Sequence, residues 1–372
     1  MTSPIEFSEA AFLSRLQRWV ECESPTFDAA AVDRMMGLAA RDLAIEGASV
    51  ELIAGRMGFG GCVRARFPHP KQGEPGILIM GHLDTVHPVG TLGVLPWRRD
   101  GNDCYGPGIV DMKGGICLSI EAMRVLGSAT HLPVTLLLTP DEEVGTPSTR
   151  DLIEAEARRH KYVLVPEPAG ANGDVTSGRY AIARFNLETI GKPSHAGARL
   201  KDGRSAIREM ARRLIEIEDM TGDDCTFSVG VIQGGQWVNC VSTTCHAEAL
   251  SMAKRQDDLD KGVATMLALS GERSGVMFKV ERGVTRPVWE PTGETMRMFE
   301  LARGIAAELG FAIGHASSGG GSDGNFTGAL GIPTLDGLGA KGTGIHTLQE
   351  HIDVEATVQR GRLLTRLIAA LN

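Results

Sequence analysis

The chain has 372 residues, 42% of them hydrophobic and 23% charged, enough to bury a sizeable core in one large or two ordinary domains. A net charge of −8 argues against a general nucleic-acid or membrane-surface binder, which needs a concentrated basic face. No run reaches the roughly 18 apolar residues of a membrane span. Met1–Ala11 lacks the basic start of a signal peptide, and seven scattered cysteines without CxxC spacing fit a reduced, cytoplasmic chain.

Residues 8–22 and 31–46 carry helical periodicity, with Phe12, Leu16, Trp19 and Val20 on one face of the first and Gly47 closing the second. Short strands are expected at Val50–Ile53 and Cys62–Phe67. Ile77-Leu-Ile-Met80 then reads as a buried strand stopped by Gly81, with His82 and Asp84 pointing to one side just beyond it. A metal-binding imidazole usually gives its second ring N–H to a carboxylate, and His82 with Asp84 has that form. A Gly- and Pro-rich loop leads to Asp111, flanked by Gly106, Gly108, Gly114 and Gly115, where glycines allow close backbone approach to something bound. A helix over 116–126, a strand at Val134–Leu138 followed by Asp141-Glu142-Glu143, a helix over 148–160 and a strand at 162–165 ending at Glu167 complete the first half. Three apolar strands alternating with two helices predict a parallel α/β sheet, and such sheets bind ligands beyond the carboxyl ends of their strands, where His82, Glu142, Glu143 and Glu167 fall.

Near Gly178 the pattern changes. Strands at 181–189, 227–232, 246–252 and 276–284, with helices at 204–219 and 257–269, give the order β-α-β-β-α-β of a ferredoxin-like unit. The expected division is a catalytic α/β domain from 1–178 and 289–372, interrupted by an α+β domain at 179–288. After it come a helix over 294–309, the turn Ser318-Gly-Gly-Gly-Ser-Asp-Gly-Asn325, the stretch Gly331-Ile-Pro-Thr-Leu335, His346 and a last helix from Val354. The turn lacks the Gly-Lys-[Ser/Thr] of a phosphate loop, so no nucleotide site is expected.

His82, Asp111, Glu143, Glu167 and His346 form a donor set of two imidazoles and three carboxylates without a thiolate. That suits a pair of divalent ions, zinc before cobalt or manganese. Asp111, in its glycine-flanked turn, is the candidate bridge. Adjacent Glu142 and Glu143 cannot both face one ion in strand geometry. One is expected to bind metal while its neighbour, Glu142, serves as general base towards a water whose pKa an ion lowers to about 7.

Jointly, GHLDTV (81–86), GPGIVDMKGG (106–115), PDEEVG (140–145), PEP (166–168), GKPSHAG (191–197), GGGSDGNF (319–326) and His346 resemble the aminoacylase/glutamate carboxypeptidase family of co-catalytic zinc peptidases, in order along almost the whole chain. The resemblance implies a zinc-binding α/β domain with mostly parallel sheet, interrupted by a ferredoxin-like lid that often dimerises. It implies His82 and Glu167 on one zinc, Glu143 and His346 on the other, Asp111 between them, Asp84 orienting His82, and a cis peptide at Asp111–Met112. His195 would stabilise an oxyanion, in dimeric relatives in the partner's site. Arg179, Asn239 and Arg286 fall where relatives place carboxylate-binding groups, and Gly320, Gly321 and Ser322 would offer backbone contacts. The loop 233–244 and the Arg179 segment follow the carboxypeptidase members only loosely, which leaves the side-chain preference open. The expected substrate is a peptide or N-acyl amino acid with a free carboxylate, glutamate or aspartate first. The alternatives are a biosynthetic deacylase of the acetyl-ornithine or succinyl-diaminopimelate type, a dipeptidase, or a non-catalytic binding protein on this fold.

Overall fold

The structure is a computed structural model and describes residues 6–372; Met1–Ile5, and with them part of the reading of the chain's start, lie outside the described residues. The chain separates into two compact units. The first takes the chain up to Gly178, Glu290–Ser318 and Ser322–Asn372, and the second Arg179–Trp289 with Gly319–Gly321.

In the first unit, strands β1 (Ser49–Ile53), β2 (Cys62–Arg66), β3 (Gly76–His82), β4 (Val134–Thr139) and β5 (His160–Leu164) join Thr334–Leu335 in a six-stranded sheet. The order is β1-β2-β4-β3-β5 and then Thr334–Leu335. β4, β3, β5 and Thr334–Leu335 run parallel, and β1 and β2 add an antiparallel edge. The central strands are continuous apolar runs because both faces are covered. Ile77, Ile79, Leu136, Leu138 and Leu164 enter one core with Phe12, Leu16, Trp19 and residues of the helices Gly114–Leu126 and Val354–Ala370. Leu78, Met80, Leu137, Val163 and Val165 enter the opposite core with Ile153, Ala157 and Phe326. Strand alternation thus distributes one run between two helical layers.

Gly81 does not stop β3, which continues through His82 and pairs it with Thr139 of β4. A Cβ on Gly81 would lie 2.5 Å from Met112 Cε and 2.6 Å from Ile116 Cδ1. The glycine is there for close packing against the helix that follows Asp111. Short strands at Arg98–Asp100, Asp103–Tyr105, Gly342–Thr343 and His351–Asp353 form a separate four-stranded sheet that the sequence reading did not anticipate. Runs of two or three residues carry no periodicity to detect.

The second unit has strands Ala181–Ile190, Cys225–Gly234, Thr244–Ala253 and Val276–Arg286 with helices Ala206–Glu218 and Gln256–Ala268. All neighbouring strands are antiparallel, with Ala181–Ile190 between Thr244–Ala253 and Val276–Arg286, and the short strand Gly271–Arg273 is added at one edge. Its core gathers Phe185, Leu187, Met210, Phe227, Leu259, Met266 and Phe278. Gly319–Gly321 group with this unit for a local reason: the Arg179 guanidinium donates to the Gly320 carbonyl at 2.6 Å, and a Cβ on Gly321 would meet Arg286 Cδ and Ile182 Cδ1 at 2.8 Å.

Candidate active site

The carboxyl ends of β3, β4 and β5 bring four of the expected groups together. His82 is the last residue of β3 and is buried. Glu142 and Glu143 open a short 3-10 turn, Glu142–Val144, just after β4. Glu167 follows β5 and is buried. Asp111 comes from the turn before the helix Gly114–Leu126, and its peptide bond to Met112 is cis. His346 comes from a turn near the end of the chain, in the left-handed region at φ 63°.

The centre is the Asp111 carboxylate. Its Oδ1 lies 3.0 Å from His82 Nε2 and its Oδ2 lies 3.3 Å from His346 Nε2. His82 Nε2 is also 3.7 Å from Glu167 Oε1, and His346 Nε2 is 3.1 Å from Glu143 Oε2. Each oxygen of one carboxylate therefore faces a different imidazole–carboxylate pair. Ligand atoms of His82, Asp111 and Glu143 all lie within 4.8 Å of one another.

The electrostatics fit a cationic occupant. Burial pulls the His82 pKa down, but its bonds to Asp111 and Asp84 and the charge of Glu167 outweigh it and hold the pKa well above the usual imidazole value. Hydrogen bonds to Asp111 and Glu143 push His346 up to about 10 against partial burial. Burial would raise Asp111, yet the bonds from His346 and His82 win and lower it. Glu167 is pushed well up by burial, then by the nearby charge of Asp111, with Glu142 adding to the repulsion. Burial also raises Glu143, despite its bond to His346. Several carboxylates crowded with two imidazoles are an oxygen and nitrogen donor set that divalent ions satisfy.

Asp84 contacts the His82 ring through both its backbone and its side chain, and it also reaches the glutamate turn. His82 Nδ1 makes its shorter contact, 2.9 Å, with the Asp84 backbone carbonyl, and the nearer carboxylate oxygen is at 3.4 Å. The carboxylate also accepts from Thr26 Oγ1 at 2.8 Å and from the backbone N–H groups of Glu142 and Glu143, both at 3.3 Å. It therefore sets the turn that presents the two glutamates. The glycines around Asp111 crowd protein backbone: a Cβ on Gly115 would lie 1.8 Å from the carbonyl oxygen of Pro166, the residue before Glu167.

The remaining expected residues are spread over both units. Ser322, in the first unit, gives its N–H to Asn325 Oδ1 at 3.1 Å and its hydroxyl to Asp336 at 2.6 Å, which leaves it no free donor for a substrate. The second unit holds His195, Arg179, Arg286, Asn239, Gly320 and Gly321. Arg179 and Arg286 are buried, and Asn239 and His195 are exposed. His195 Nδ1 accepts from the N–H groups of Gly197 and Ala198 at 3.2 and 3.1 Å, so its proton sits on Nε2. Among residues the sequence reading missed, Asp323 accepts from Thr139 Oγ1 at 3.2 Å and from the Thr146 hydroxyl, bracing the glutamate turn. Glu350, four positions after His346, was also missed, although it accepts a bond from the Asp111 N–H at 3.2 Å. Both carboxylates are fixed by partners far away in sequence.

Residues 78–370 match peptidase family M20/M25/M40. The chain belongs to that family. It is 30% identical over 314 residues, 81% of this chain and 75% of the relative, to Carboxypeptidase G2 of Pseudomonas sp. (strain RS-16). It is 28% identical over 80% of its length and 84% of the relative to a succinyl-diaminopimelate desuccinylase of Cupriavidus taiwanensis. In fold it is similar to an M20 family metallo-carboxypeptidase of Sulfolobus solfataricus, with a TM-score of 0.73 at 16% identity over 97% of this chain and 99% of that one. A Staphylococcus aureus tripeptidase gives 0.77 at 20% identity over 98% of both chains. The protein is a hydrolase of peptidase or amidohydrolase type with a site suited to divalent metal. Among the described residues, no helix is long and apolar enough to cross a membrane.

Proposed function

We propose that the chain is a cytoplasmic two-zinc amidohydrolase. It cleaves the amide of a peptidyl or N-acyl amino acid bearing a free carboxylate, with C-terminal glutamate or aspartate as the first choice. One observation carries the reading: the two oxygens of Asp111 face His82 with Glu167 and His346 with Glu143. That arrangement suits one ion held by His82 and Glu167, a second held by Glu143 and His346, and Asp111 shared between them. When bound, the ions supply Lewis acidity to the scissile carbonyl and to a water. Glu142 takes the proton from the attacking water and delivers it to the amide nitrogen as that leaves, so one carboxylate serves as base and then acid. Its charge lies near enough to Glu167 to raise that residue's pKa, in keeping with such a post.

The inserted unit, 179–288, serves in this reading as lid and dimerisation surface. His195, with its proton on Nε2, is a donor of the kind an oxyanion needs. Arg179 and Arg286 are candidates for the substrate carboxylate, since a guanidinium can take it bidentately. The similarity to a desuccinylase keeps deacylation of a succinyl or acetyl amino acid as the second reading. Product analysis on a panel of acyl-glutamates, acyl-aspartates, acetyl-ornithine, succinyl-diaminopimelate and dipeptides decides between them. Turnover of acyl-glutamates or acyl-aspartates at least tenfold above the rest is expected. Preference for the succinyl or acetyl diamino acids would overturn the substrate assignment.

A further inference from the structure

Glu350 carries a buried carboxylate that binds no expected ion, yet it accepts four hydrogen bonds. Its Oε2 accepts from the Gly108 N–H at 2.9 Å and lies 2.8 Å from His87 Nε2. Its Oε1 accepts from the N–H groups of Val110 at 2.8 Å and Asp111 at 3.2 Å. Its own backbone carbonyl accepts from the Gly106 N–H at 3.3 Å. The turn 106–111, with Gly108 in the left-handed conformation at φ 68°, forms a cradle of N–H groups around this one side chain. His87 lies five residues beyond His82, and Glu350 four beyond His346. One carboxylate therefore ties together the three segments that present His82, Asp111 and His346.

We propose that Glu350, supported by His87, is a positioning residue that fixes Asp111 between the two imidazoles and so sets the metal affinity of the site. The inference rests on the two-metal reading above. The chemistry singles out a carboxylate. Each of its oxygens takes two donors, and a glutamine would turn an NH₂ towards one of those pairs. With that NH₂ facing the first pair, His87 can shift its proton to Nδ1 and accept at Nε2, but the Gly108 N–H then loses its partner. With it facing the second, the Val110 and Asp111 N–H groups do. Partners behind metal ligands typically contribute about 10–100-fold in metal affinity.

The test is a Co²⁺ titration of the metal-free chain, read by visible absorption and by competition with a chelator, alongside thermal melting. Glu350→Gln should bind Co²⁺ about 10–100-fold more weakly and with a shifted spectrum. His87→Ala should lose about tenfold and His87→Gln, whose amide can donate to Oε2, should recover most of it. If Glu350→Gln does not fold, the two His87 variants decide on the same readout. Variants that melt earlier but keep the parent's affinity and spectrum would show a purely structural role and overturn the inference. A parent that takes up no Co²⁺ would sink the two-metal reading and this inference with it, whereas a parent that binds while the variants match it sinks this inference alone.

Discussion

Asp84→Asn is the perturbation whose consequence follows most directly from the geometry. The side chain is fully buried, and its two oxygens take the Thr26 hydroxyl and the N–H groups of Glu142 and Glu143. Asparagine keeps the shape but has one acceptor oxygen. Thr26 can rotate its hydroxyl to accept from the new NH₂, so that contact survives. One of the two glutamate N–H groups cannot be satisfied, because Glu142 donates to Oδ1 and Glu143 to Oδ2. An N–H left without a partner costs about 1–3 kcal/mol when shielded from water, and the half-buried glutamate turn shields these two in part. The turn relieves that cost by moving, and moving displaces both the proposed base and a proposed ligand. At about 1.4 kcal/mol per tenfold, the loss in kcat is about 5- to 150-fold. The assay is kcat and KM on the best substrate of the hydrolysis panel at saturating metal, with a urea midpoint to establish folding. KM should change less than kcat. A folded Asp84→Asn protein whose kcat stays within twofold of the parent would refute the claim that Asp84 sets the glutamate turn.

Two further outcomes follow from the same site. Glu142→Gln should lower kcat by about 10²–10⁴-fold while zinc content, measured by elemental analysis, stays at the parental level; loss of zinc would move Glu142 from the proton-transfer role to a ligand. In the metal-free chain, the raised imidazole pKa values have a defined sign. His346 is raised from 6.5 to about 10 by its bonds to Asp111 and Glu143, and His82 is raised as well. Their stabilisation is fully present below about pH 6.5 and lost as pH rises towards about 10. Urea midpoints of the metal-free chain should therefore fall across that window, and zinc binding near pH 7 should release protons, detectable by calorimetry in buffers of different ionisation enthalpy. Midpoints flat with pH and no proton release would contradict the ion pairs.

The sheet and the donor set were legible in the sequence for different reasons. Ile77–Met80, Val134–Leu138 and 162–165 stand out because strands covered on both faces become uninterrupted apolar runs, and Leu78 and Ile79 do enter opposite cores. His82, Glu142, Glu143 and Glu167 could be gathered because parallel topology places strand ends side by side, whereas Asp111 and His346 come from turns and entered the donor set on residue type, Asp111 with its flanking glycines. What the sequence did not disclose depends on partners far along the chain. The pairing of Glu350 with the Asp111 turn spans 239 positions and that of Thr146 with Asp323 spans 177, and neither leaves a local signature. Gly81 looked like a strand stop because a missing side chain reads the same in sequence whether it ends a strand or admits Met112. Spacing alone does not show that the Asp84 carbonyl makes the shorter contact with the His82 ring, nor that its carboxylate also holds the glutamate turn.

The central claim is that Asp111 is shared between two ions. It is tested most directly by counting zinc bound per chain at saturation after the chelated protein is reconstituted, with elemental analysis against protein concentration. The account predicts two per chain, which follows from each Asp111 oxygen facing its own imidazole–carboxylate pair. A plateau at one zinc per chain, or at none, would contradict it.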